Sequence, residues 1–159
     1  MKTLLAALLA LSSMPASAQS PIASPILGHW SLQVDKLATP PETHPKRVDL
    51  EFRDAGDGRI ATHVVIVDPN DHTLDSQSEL ALDGTPGKAT GTYWVDLAAA
   101  KMPAPNVLVM QFAYQGQPTS TRVYSVDAHG VLTETEAYFK PDGTPVMRTA
   151  VFTRVASNP

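Results

Sequence analysis

From Leu27 onward, apolar and polar residues alternate with a period near two, and short clusters of turn-forming residues interrupt the alternation. Val48, Leu50 and Phe52 alternate with Asp49, Glu51 and Arg53. Successive side chains of a strand point to opposite faces, so such a run reads as a half-buried strand. Further strand-like runs, rich in Val, Thr, Tyr and Phe, span 59–67, 74–82, 89–95, 106–114, 119–126, 131–139 and 145–155. The separators carry turn chemistry: Asp54-Ala55-Gly56-Asp57-Gly58, Asp68-Pro69-Asn70-Asp71, Asp83-Gly84, Gln115-Gly116-Gln117-Pro118, His129-Gly130 and Lys140-Pro141-Asp142-Gly143. Parallel crossovers need a dozen or more residues, so these short connections require antiparallel neighbours. Two connections are longer. Residues 35–46 hold three Pro and cannot be a strand interior, and 96–105 reads as one helical turn stopped by Pro. The expectation is an all-β, antiparallel up-and-down meander of eight or nine strands. Closing it into a barrel removes the edges that an open meander exposes, whereas a two-sheet sandwich usually needs longer Greek-key connections.

The N-terminus places this meander in a compartment. Lys2, the apolar run from Leu4 to Leu11 and the small-residue pattern Ala16-Ser17-Ala18 read as a secretory signal over 1–18, cleaved before Gln19. The apolar run is too short to span a bilayer, so no integral membrane segment is expected after cleavage. The expected location is periplasmic or secreted, with a linker over 19–26 and one domain over 27–157. There is no Cys. Disulfides, thiolate nucleophiles, zinc–thiolate sites and iron–sulfur clusters are therefore excluded, and the core must hold without staples. Of twelve Lys and Arg, eleven remain after Lys2 is set aside, against sixteen Asp and Glu. A mildly acidic chain without a basic run is a poor partner for nucleic acid.

Gly28-His29-Trp30, near the start of the mature chain, precedes a long irregular loop and then the hairpin meander. This arrangement resembles the lipocalin or calycin superfamily. The resemblance implies a lipocalin-like barrel in which Trp30 plugs the closed end and Gly28 lets the backbone come close. It further implies that Arg154, or failing that Arg148, stacks over the indole. The Thr-Asp-Tyr motif of classical members and the helix that follows their barrel are absent, which points to a short bacterial-type domain.

Several constellations bear on chemistry. A three-residue loop at Gln115-Gly116-Gln117 would put Leu108, Met110 and Phe112 on one face with Arg122 and Tyr124. That is a cavity wall able to orient an anionic or carbonyl-bearing ligand. Met110, Phe112, Arg122, Tyr124 and Trp94 are accordingly the candidate ligand-binding residues, and a small hydrophobic or amphipathic molecule is the candidate partner. Glu134 and Glu136 share a face. A three-residue loop at Pro141-Asp142-Gly143 sets Glu136 opposite Arg148 as an exterior ion pair, with Val131, Ala137, Phe139, Met147, Val151 and Val155 facing inward. Asp68, Asn70, His72 and Glu79 fit part of a calcium-loop template, but Thr73 stands where Gly is required, so a solvated turn is expected. The five histidines lack metal-ligand spacing. No catalytic motif, metal site or cofactor is assigned. The leading expectation is an exported barrel binding a small ligand. Two others stand beside it: an interaction or inhibitor module acting through loop 35–46, its protein partner unknown, and an isomerase or cyclase using inward Glu134, Glu136 or His63.

Overall fold

The computed structural model describes residues 21–92 and 94–156; the expected signal over 1–18 lies outside them. Ten strands form one closed antiparallel barrel. They are β1 (Gly28–Leu32), β2 (Arg47–Gly56), β3 (Arg59–Val67), β4 (Thr73–Ala81), β5 (Gly87–Thr90), β6 (Leu97–Ala104), β7 (Val107–Tyr114), β8 (Gln117–Val126), β9 (Leu132–Phe139) and β10 (Pro145–Arg154). Each strand pairs with its neighbour in sequence, and β1 pairs with both β2 and β10, which closes the cylinder.

The strand count exceeds the eight or nine expected, and the extra strand is β6. Ala98 and Ala100 are buried on its inner face. Pro103 falls in the register shift between Lys101 and Ala104, where its missing N–H breaks no regular ladder. The small alanines resemble a helical turn in composition, yet the ladder to β7 makes them strand. Conversely, the run at 89–95 is strand only to Thr90; its other described residues, 91, 92, 94 and 95, lie outside any strand. Gly91 sits against β4 so closely that a Cβ there would overlap the Asp75 carbonyl oxygen. Loop 35–46 contains most of two short 3-10 turns, Val34–Lys36 and Pro41–Thr43, and is fastened by a 2.7 Å contact between His44 Nε2 and the Thr39 carbonyl.

The floor is built around one indole. Trp30 is fully buried, and its Nε1–H donates to the Ile26 carbonyl at 2.8 Å. The Arg154 guanidinium lies over the Trp30 ring, 4.2 Å from its centroid, and donates to the carbonyls of Leu27 at 2.8 Å and Pro25 at 2.6 Å. Gly28 has φ +130°, and a Cβ on it would overlap Arg154 Nη1. Only glycine both reaches that conformation easily and leaves room for the guanidinium. Leu50, Phe52, Ile60, Leu80, Leu108, Leu132 and Phe152 fill the barrel above the floor.

One expected face is overturned. The β9–β10 register does set Glu136 opposite Arg148, but this row faces inward. Glu134 is buried, while Phe139 and Met147 are each 73% exposed and Val155 is exposed as well. Glu136 pairs with Arg122 on β8 rather than with Arg148, which stacks on the Tyr138 ring at 5.3 Å. The physical reason is that β8 already carries an inward arginine, and a buried cation needs carboxylates beside it. His63 faces outward, where its Nε2 lies 2.9 Å from Asp75.

Candidate functional site

Inward residues of β7 and β8 converge in the half of the barrel away from the floor. Pairing sets Leu108 opposite Tyr124, Met110 opposite Arg122 and Phe112 opposite Ser120. The connection is tighter than expected, with Tyr114 opposite Gln117 and a bulge at Phe112/Ala113, yet Leu108, Met110, Phe112, Arg122 and Tyr124 share one face. A cavity of about 50 Å³ lies against the last four of these. Met110, Phe112, Arg122, Tyr124 and Trp94 all border it; Trp94 arrives from the irregular crossing between β5 and β6. Thr62, Ser76 and Ser78 bring hydroxyls from β3 and β4, with Thr62 and Ser78 in contact at 2.7 Å. Apolar side chains such as Val64, Ile66 and Leu74 complete the lining. A water needs roughly 10–15 Å³ of such space, whereas drug-sized ligands occupy pockets of about 300–1,000 Å³. The cavity therefore has room for a group of a few heavy atoms.

Arg122 organises the electrostatics. Its Nη1 lies 3.4 Å from Glu134 and its Nη2 3.1 Å from Glu136. The β8–β9 register produces this directly, setting Tyr124 opposite Glu134 and Arg122 opposite Glu136. Phe112 covers the guanidinium, its ring centroid 5.5 Å from the central carbon. Arg122 Nε is buried and has no hydrogen-bond partner among the described residues. Burial pushes the Glu134 carboxyl above the ordinary carboxylate range, although Arg122 pulls the other way. Tyr124 is likewise raised by burial and by the neighbouring Glu134. Burial opposes the charge on Arg122, but its neighbours, the two glutamates foremost at neutral pH, raise its pKa and the guanidinium stays charged.

On the other side of this row a cleft of about 530 Å³ opens beneath loop 35–46. Leu37, Thr39, Pro40, Thr43 and Pro45 form its roof, and Glu134, Glu136 and Arg148 its wall. Among the described residues, no three His, Asp or Glu side chains form a cluster suited to a metal ion.

Sequence reasoning missed that Glu134 and Glu136 partner Arg122. The signal was present: a short turn at 127–131 pairs Val126 with Leu132, and counting back reaches Arg122 and Glu136. The hydroxyl wall was also legible, since Thr62, Ser76 and Ser78 occupy the inward period of β3 and β4.

The chain is thus a closed antiparallel meander barrel, stoppered at one end and holding a mixed polar and apolar cavity in the other half. No family model matches the chain, and neither does any curated protein. Among solved structures it is similar to an asparagine-to-alanine mutant of the fluorescent protein UnaG, with a TM-score of 0.55 and 16% identity over 84% of this chain and 98% of that one. An asparagine-to-glutamine mutant of UnaG is a second match, with a TM-score of 0.49 and 17% identity over 80% of this chain and 94% of that one. The first of these likenesses shows a shared fold and no more.

Proposed function

We propose that this protein is an exported, lipocalin-like barrel that binds a small apolar or amphipathic molecule, with the ligand's polar end at Arg122 and Tyr124. The observation that carries this reading is the largely apolar cavity bordered by a half-buried arginine whose buried Nε–H lacks an acceptor among the described residues. An unsatisfied buried donor costs about 1–3 kcal/mol, and a bound oxygen would recover it. The volume sets the scale of what enters without rearrangement: a group of a few heavy atoms. A larger ligand enters by displacing Phe112 and Trp94.

The chain has two Trp, and Trp30 is sealed in the floor. A Trp30→Phe variant therefore leaves Trp94 as the reporter. Titrating small aromatic and aliphatic compounds is expected to change its fluorescence saturably, together with an upward thermal shift of the wild type. A panel producing neither change contradicts the reading.

A second reading has one specific observation behind it. An isomerase or cyclase requires an inward carboxyl with displaced titration, and Glu134 is buried with a raised pKa. Both glutamates are, however, engaged by Arg122, which favours a binding role.

A further inference from the structure

An arginine in an apolar barrel invites the expectation of a carboxylate ligand. The charges around Arg122 argue otherwise. Two glutamates already flank its guanidinium, at 3.4 Å and 3.1 Å. Among the described residues Arg122 is the one charged side chain that borders the cavity, the two glutamates lining the neighbouring cleft; the other polar groups are the hydroxyls of Tyr124, Thr62, Ser76, Ser78 and Thr92 and the Trp94 indole. Arg148 stands opposite Glu136 but is turned onto Tyr138 and exposed.

We infer that the cavity selects an uncharged oxygen acceptor, such as an amide, ketone or ester carbonyl, and discriminates against a carboxylate. This inference rests on the ligand-binding reading above. A third carboxylate beside Glu134 and Glu136 would face two like charges where the dielectric is low, with a single guanidinium to share. A neutral carbonyl accepts from the Arg122 Nε–H without adding charge, while Phe112 shifts to admit it. Its carbon body then meets Met110, Phe112 and Trp94. Burial is the main cause that raises the Glu134 titration, and the neighbouring Glu136 adds to it. Selectivity of this kind follows from partners left unpaired or repelled rather than from size, since an amide and a carboxylate are nearly isosteric.

The test compares matched pairs against full-length mature protein at neutral pH by isothermal titration: benzamide with benzoate, and hexanamide with hexanoate. The amides are expected to bind at least about tenfold more tightly than the carboxylates. Glu136→Gln, which removes one charge and keeps the shape, is expected to narrow that ratio by about tenfold, mainly by improving carboxylate binding. Carboxylates that bind the wild type as tightly as their amides, or more tightly, overturn the inference while leaving the binding reading intact. An amide preference that Glu136→Gln and Glu134→Gln both leave unchanged overturns the charge explanation and the inference with it. Failure of all four probes to bind contradicts the underlying binding reading itself.

Discussion

At the scale of single residues, the floor clamp and the inward arginine make different demands. Gly28, Trp30 and Arg154 form one unit: the glycine leaves space, the guanidinium fills it, and the indole lies beneath. Gly28→Ala imposes an unfavourable φ and drives Arg154 off the ring, so either outcome dismantles the clamp. Arg154→Ala loses the ring contact and two charge-assisted bonds to backbone carbonyls, and should cost about 2 kcal/mol in urea unfolding. Arg122→Met leaves Glu134 and Glu136 inside without their cation, a change expected to cost about 3–5 kcal/mol. Adding Glu134→Gln and Glu136→Gln to that variant should restore most of the loss, and equal stability of the single and triple variants would refute the assignment of Arg122 as their counter-ion. Titration belongs to this scale too. A carboxyl whose pKa is raised on folding, as Glu134's is, contributes stability that is complete below its unfolded value of about 4.3 and is lost as pH rises through its folded value. Asp83, Asp127 and Asp142 behave oppositely. Backbone N–H groups of Thr85, Val131 and Thr144 respectively hold their pKa values down. Their contribution is complete above about pH 3.9 and lost as pH falls through their lowered values. A thermal unfolding series across pH should therefore show the wild type losing stability above about pH 4.3 in a manner that Glu134→Gln flattens.

Among the elements, the crossing between β5 and β6 stands out, because it replaces strand with irregular chain where Trp94 enters the cavity wall. Gly91, at φ +85°, abuts the β4 backbone. Gly91→Ala must push the crossing away from Asp75. The expected result is faster amide exchange in β5 and at Asp75 and Ser76, with the floor strands unaffected; uniform protection throughout would contradict the role given to this contact. The same region shows where sequence patterning lost its grip. Period two is a strong signal when inward residues are large, as in β2. It fades in β6, whose inward positions are Ala98 and Ala100, and a Pro at a bulge mimics a strand stop. In β9 and β10 the register was readable from turn chemistry, but the facing was not. Phe139 and Met147 are apolar yet exposed, and Glu134 is charged yet buried. Hydrophobicity alone assigns that hairpin the wrong way round, and only the cross-strand demand of Arg122 corrects it.

For the molecule as a whole, closure into a barrel was legible because it depends on connection length, and every short hairpin pointed the same way. Cavity size was not legible, because it depends on rotamers of Phe112, Trp94 and Arg122 that no periodicity encodes. Export also belongs to this scale. If residues 1–18 are a signal, protein recovered from its native source should begin at Gln19, which intact mass or N-terminal sequencing decides. The most direct test of the central claim is native mass spectrometry of that same preparation. The account predicts a non-covalent adduct of small-molecule mass that is lost on denaturation. Recovery of the bare polypeptide mass, together with no added mass on exposure to neutral carbonyl compounds, would contradict it.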